Sequence, residues 1–170
     1  QRMCGIATET AKYVKELAGT STELLDTRKT APGLRVLDKM AVKDGGGTNH
    51  RMGLYDMAMI KDNHIKMAGG IAKAVEQVRS TIDPSIKIEV ETTNLSEVNQ
   101  AIEAGADIIM LDNMTNEAMT EAVGVIKASG KGIKTEASGN MSIPRLIEVA
   151  ATGVDYISVG ALTHTVKAMD

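Results

Sequence analysis

The stretch KIEVETTNLSEVNQAIEAGADIIMLDN, from Lys87 to Asn113, decides the fold class. Lys87–Glu91 (KIEVE) reads as a strand entered from the turn residues Asp83-Pro84-Ser85. Residues 95–104 read as a helix, capped by Asn94 or Ser96 and ended by Gly105. Ile108–Leu111 (IIML) is a second strand, closed by Asp112-Asn113. A strand, a crossover helix and another strand make a parallel pair with a right-handed connection.

The same unit recurs on both sides. Residues 3–18 predict an amphipathic helix, with Ile6, Ala7, Ala11, Val14, Leu17 and Ala18 near one face. Glu23–Thr27 predicts a strand ending in Arg28-Lys29. Pro32 can open a helix that residues 33–43 continue, and Gly45-Gly46-Gly47 stops it. Met57–Lys61 is a strand, and 66–82 one long helix with Gly69-Gly70 near its start. Beyond Asn113 come a helix over 116–128, a strand at Ile133–Ala137, a helix over 143–151 with Pro144 in its first turn, and a strand at Asp155–Val159. The strands look mixed rather than cleanly alternating, as expected when both sheet faces are covered.

Composition limits the function. The chain has 170 residues, 43% hydrophobic and 24% charged, so it can bury a continuous core as a single α/β domain over 1–170. No apolar run approaches the ~20 residues of a membrane helix. One cysteine excludes an internal disulfide and a multi-cysteine zinc site, and suits a cytoplasmic location. A net charge of -3, with three Tyr and no Phe or Trp, argues against a nucleic-acid surface. No GxGxxG motif follows the first strand, no Ser or Cys stands in a nucleophile elbow, and Cys4 lies in the first helix. His164 reads as a structural or helix-capping residue.

Polar residues stand just past nearly every strand. A barrel gathers strand ends at one mouth, whereas an open sheet spreads them along a line. The sequence therefore predicts an incomplete parallel β/α barrel of about six strands, TIM-barrel-like, with an N-terminal helix. Three groups would meet at its mouth. Arg28, Lys29, His50, Arg51, Lys61 and His64 form a basic cluster suited to a small polyanion with more than one carboxylate or phosphate. Scattered over the surface, the same residues would be ordinary solvated charge. Glu91 and Asp112, each closing a strand, could take Mg2+ carried on a substrate phosphate or offset positive charge in a transition state. They could equally cap the next helix or pair with a Lys. The turns Ser138-Gly139-Asn140 and Gly160-Ala161 could offer main-chain N–H groups to phosphate.

Longer strings are more specific. DTRKTAPGLR (Asp26–Arg35), GGGTNHRMGL (Gly45–Leu54) and IKDNHI (Ile60–Ile65) closely resemble the quinolinate phosphoribosyltransferase family, the carboxylating nicotinate-nucleotide pyrophosphorylases. Glu89-Val90-Glu91, Asp112-Asn113-Met114, Glu136–Asn140 and Gly153–His164 carry the resemblance to the end. It implies conversion of quinolinate and phosphoribosyl pyrophosphate to nicotinate mononucleotide, pyrophosphate and CO2 in NAD biosynthesis, with Mg2+ and no organic cofactor.

It also implies roles. Arg28, His50, Arg51 and Lys61 match residues that hold quinolinate. Lys29, Glu91 and Asp112 match residues that hold phosphoribosyl pyrophosphate and its metal, and are the catalytic expectation. Thr27, beside Arg28, joins the substrate-binding set. Ser138, Gly139, Asn140, Gly160 and Ala161 match the phosphate-binding turns. The resemblance further implies a homodimer or higher oligomer and an N-terminal α/β domain that this chain lacks. That domain covers a neighbouring subunit's barrel and lends an Arg to the quinolinate pocket, so the chain alone is expected to turn over weakly. Two alternatives are a related phosphoribosyltransferase for another aromatic acid such as nicotinate, and a non-catalytic barrel fragment that only binds phosphate or quinolinate.

Overall fold

In the computed structural model, which describes residues 1–169, six strands alternate with helices. The strands are β1 (Glu23–Leu25), β2 (Ala58–Ile60), β3 (Ile88–Thr92), β4 (Ile108–Asp112), β5 (Lys134–Ser138) and β6 (Tyr156–Ser158). All pair in parallel, in the order β1-β6-β5-β4-β3-β2. The two edge strands, β1 and β2, do not pair with each other. Instead Thr48 bridges Leu25 from the segment that precedes β2. This is the incomplete parallel barrel that the strand–helix alternation predicts.

The helices are α1 (Arg2–Glu16), α2 (Arg35–Asp44), α3 (Asp62–Ala68), α4 (Ile71–Arg79), α5 (Leu95–Ala104), α6 (Asn116–Ala128), α7 (Ile143–Ala151) and α8 (Ala161–His164). Each of the longer ones buries one stripe. In α5 it is Val98, Ala101 and Ile102; in α6, Met119, Ala122, Val123 and Ile126; in α7, Leu146, Val149 and Ala150. Of the two candidate caps for α5, Asn94 takes the role: its side chain accepts from the Glu97 N–H at 3.0 Å. Gly105 closes the helix in the left-handed region at φ 79°.

Three expectations need correction. The single helix over 66–82 is two helices, α3 and α4. Gly69 (φ 81°) and Gly70 (φ 132°) adopt conformations that L side chains avoid, and they end the first helix rather than decorating the start of one. Helix α2 begins at Arg35, not around Pro32, and a short helix, α8, follows β6.

The third correction concerns the strands, which do alternate. Ile60, Ile88, Val90, Ile109, Leu111, Ala137 and Ile157 join one hydrophobic core with the helices. Their neighbours at period two, Met59, Glu89, Glu91, Met110, Asp112, Glu136, Ser138, Tyr156 and Ser158, face the barrel lumen. The buried apolar residues Leu25, Met57, Ile108 and Met110 lie outside the main core for this reason. The lumen is therefore polar where a barrel of this kind ordinarily packs Val, Ile and Leu.

Candidate active site

The C-terminal ends of the strands open on a cavity of about 450 Å³. Its wall includes Thr27, Arg28, Lys29, His50, Arg51, Lys61, Glu91, Asp112 and Ser138, so most of the residues singled out in the sequence share one mouth. A smaller cavity of about 270 Å³ opens at the N-terminal ends beside Glu23, Lys87, Ile108 and Tyr156, and meets the first at His50, Arg51 and Glu136.

Two guanidiniums dominate the mouth. Arg28 is half-buried, and its Nε is buried with no hydrogen-bond partner among the described residues. Arg51 donates to the Met57 carbonyl at 3.0 Å and approaches Met59 Sδ at 3.6 Å. Its pKa is lowered, first by burial and then by the charge of Arg28. Two like charges so close are unfavourable unless an anion comes between them.

Local structure fixes these groups. The Lys29 N–H donates to Thr27 Oγ1 at 3.2 Å, and Thr163 Oγ1 of α8 donates to the Lys29 carbonyl at 2.9 Å. Arg35 donates to Thr30 Oγ1 and to the Met52 carbonyl, tying the loop after β1 to the segment that carries His50 and Arg51. Beneath them Lys39 of α2 is 1% exposed and paired with Asp26, which is 0% exposed. Asp26 also accepts from the His50 N–H at 2.9 Å and from Asn49 Nδ2 at 2.6 Å, while Lys39 donates to the His50 carbonyl at 3.0 Å. Burial raises the Asp26 pKa, against the opposing pull of Lys39, Asn49 and the His50 amide.

His50 itself reaches into the lumen. Its Nε2 lies 3.0 Å from Glu89 Oε2 and 3.2 Å from Glu136 Oε2, and both carboxylates are fully buried. Burial alone would lower the His50 pKa. The hydrogen bonds and charges of Glu136 and Glu89 reverse that and push it up to about 10. Glu89 is raised, by burial and by the facing Glu136 carboxylate.

The remaining residues divide. Lys61 and Glu91, expected to serve different ligands, pair with each other. Asp112 accepts from the neighbouring Asn113 amide at 2.7 Å. Gly139, Asn140, Gly160 and Ala161 flank the mouth without lining its cavity. Their main-chain N–H groups donate to no protein group among the described residues. His64 leaves the basic cluster: its Nδ1 accepts from the Lys61 N–H at 3.0 Å, and it caps α3 from an exposed position. His164, on α8, is exposed and 2.7 Å from Thr165 Oγ1.

The sequence reading missed Asp26, Lys39, Glu89 and Glu136 as parts of the site. For the two glutamates a signal existed, since each is an acid flanked by outward apolar or small residues in a strand. Lys39 carried none, because a Lys in an amphipathic helix ordinarily faces water.

For a metal, the donors of the mouth are Glu91 and Asp112, hard oxygen ligands on neighbouring strands. Among the described residues the one set of three ligating groups close enough to share an ion is His50, Glu89 and Glu136. The Glu91 and Asp112 carboxylates are of the donor type that Mg2+ takes.

Fold and site together define an incomplete β/α barrel whose mouth, at the C-terminal ends of its strands, is lined by cationic side chains and carboxylates. Residues 6–170 match the family model for the quinolinate phosphoribosyl transferase C-terminal domain, and the chain belongs to that family. It is 50% identical over 159 residues to a probable carboxylating nicotinate-nucleotide pyrophosphorylase from Synechocystis, covering 94% of this chain and 54% of that protein. A Bacillus subtilis protein of the same description is 46% identical over 170 residues, covering all of this chain and 58% of the relative. The solved nicotinate-nucleotide pyrophosphorylase of Francisella tularensis superposes with a TM-score of 0.95 at 50% identity, over the whole chain and 59% of the other. The chain thus spans a little over half the length of the curated relatives it matches.

Proposed function

We propose that this chain carries the site at which quinolinate reacts with phosphoribosyl pyrophosphate to give nicotinate mononucleotide, pyrophosphate and CO2. The observation that carries this reading is the pair of guanidiniums. Arg28, with its buried unpartnered Nε, and Arg51, whose pKa is lowered by burial and then by Arg28's charge, stand at one mouth with Lys61 and His50. Four cationic or donor groups suit a compact dianion better than a monoanion.

In this reading Arg28, His50, Arg51 and Lys61 hold the two carboxylates, with Thr27 beside them. A carboxylate of the ligand then competes with Glu91 for the Lys61 ammonium. Lys29 meets the diphosphate. The free N–H groups of Gly139, Asn140, Gly160 and Ala161, with Ser138, take the 5′-phosphate. Glu91 and Asp112 are the residues that would hold a substrate-borne Mg2+, which would supply neutralisation of diphosphate charge. As the C1′–O bond to diphosphate breaks, positive charge grows on the ribose, and Glu91 and Asp112 offset it. The pyridine nitrogen forms the new bond to C1′. The resulting pyridinium accepts the electron pair of the breaking C–CO2 bond, and the ring carbon then takes a proton. The protein's main contribution is orientation.

We further place the protein in the cytoplasm, in keeping with its lone cysteine, and expect it to work as an oligomer. The exposed Val36, Leu37 and Met40 of α2 suit a covering surface. Among the described residues no helix is long and apolar enough to cross a membrane.

Calorimetric titration tests the reading. Quinolinate should bind at least about tenfold more tightly than nicotinate, a difference of about 1.4 kcal/mol. In an assay with both substrates, Glu91→Ala frees Lys61 and should not weaken quinolinate binding, while product formation collapses. Equal affinity for the two acids would overturn the choice of substrate, and surviving turnover would overturn the role of Glu91.

A further inference from the structure

Below the mouth lies a buried cluster that orientation of the two substrates does not by itself require. Glu89 and Glu136 are 0% and 1% exposed, yet Glu89 Oε1 and both oxygens of Glu136 lack a geometrically sound hydrogen bond. Two carboxylates placed like this in a lumen demand a cation or a proton. The group in contact with both is the imidazole of His50, through one ring nitrogen, Nε2. Ionised carboxylates only accept, so with both acids charged Nε2 carries its proton. Nδ1 has no partner among the described residues, and the ring lies on the wall of the mouth cavity.

The other charged groups near His50 act elsewhere. Asp26, after β1, and Lys39, from α2, touch only its main chain. Arg51, its neighbour in sequence, donates to the Met57 carbonyl and feels the Glu89 charge without pairing with it, and Asp56 accepts from the Met52 and Gly53 amides. Glu89 from β3 and Glu136 from β5 are therefore the groups that set the state of the ring.

Resting on the reading of this mouth as an acid-binding site, we propose that Glu89 and Glu136 are positioning residues that grip Nε2–H of His50, keep the imidazole a cation, and leave Nδ1–H to donate to a carboxylate of the bound acid. A histidine without such partners would lose its charge near neutrality, and the site would weaken as the pH rose. Held between two buried acids, it behaves as a fixed cation with a planar, short reach. The arrangement supplies positive charge that a longer Lys or Arg could not place so deep in the lumen without stranding a flexible stem.

The chain has three histidines, so the imidazole signals in NMR are assignable through His50→Gln. With no ligand present, the His50 ring should keep its imidazolium signature from about pH 6 to about pH 9. Glu136→Gln and Glu89→Gln should each bring its deprotonation into that window. Quinolinate affinity, flat with pH in the parent chain, should then fall by about tenfold per pH unit above the new midpoint. A neutral His50 near pH 7.5 in the unsubstituted chain overturns the proposal, as does a ring that both substitutions leave fully charged. Selective broadening of its signals by Mn2+ at low ratio also overturns it, in favour of a metal site. A cationic His50 in a chain that binds no quinolinate overturns the acid-site reading on which the proposal rests, and a neutral His50 with tight binding overturns the part given to the two glutamates.

Discussion

The two faces of one sheet do different work. Outward, Ile60, Val90, Ile109, Leu111 and Ile157 are 1% exposed or less and pack under the helices, each burying side chain that contributes about 1.5–3 kcal/mol. Inward, the same strands carry Glu89, Glu91, Asp112, Glu136 and Ser158, which contribute little to such packing. The apolar core lies on one face and the ionisable groups on the other, one residue apart. The strands can hold ionisable groups in the lumen because the outer face alone supplies a continuous core.

One feature crosses that division. The Asp26–Lys39 pair lies between the end of β1 and α2, on the core side, and is almost wholly buried. Its hydrogen bonds run to the main chain of His50 and to Asn49, so it supports the lumen from outside. Removing one partner leaves the other charge buried and unpaired, which costs about 3–5 kcal/mol. Asp26→Asn should therefore lower the unfolding free energy by that amount in a denaturant titration. Adding Lys39→Met to it should recover much of the loss. A loss below about 1 kcal/mol for the single substitution would place this pair with surface ion pairs and break the comparison at its most buried point.

Much of this was legible from residue order. Strand–helix alternation gave a parallel barrel, and the groups at or just past the strand ends, Arg28, Lys61, Glu91 and Asp112, do meet at one mouth. They are readable because a charge ending an apolar run needs no tertiary information to be noticed. Lys39 is the opposite case, since its burial depends on Asp26 lying across from α2. His64 misled for a related reason. It follows a strand like the others, but its ring turns back to cap its own helix. The split at Gly69-Gly70 was visible as two glycines, yet two helices rather than one follow only from their left-handed backbone.

A smaller change probes the outer face alone. Ile109 is 0% exposed in the central strand β4. Ile109→Val removes one buried methylene and should cost about 0.5–1.5 kcal/mol. Quinolinate affinity should stay within about twofold, because the lumen side chains on either side, Ile108 and Met110, are untouched. Coupled losses of stability and affinity would show that the two faces are not separable.

The smallest effect on stability belongs to the mouth. Lys61 and Glu91 form an ion pair whose side chains are 43% and 16% exposed. Solvent screening limits such a pair to about 0–1 kcal/mol, so Lys61→Ala should hardly move the unfolding midpoint. Binding should respond far more, because the ammonium would face a ligand carboxylate in a partly enclosed cavity, and loss of about tenfold or more in quinolinate affinity is expected. The ratio of the two effects is the informative quantity. At Asp26 a charge is removed and the fold suffers; at Lys61 a charge is removed and the ligand suffers. Should Lys61→Ala unfold the chain as readily as Asp26→Asn, the mouth would be part of the scaffold. Its open charges would then need an explanation other than ligand binding.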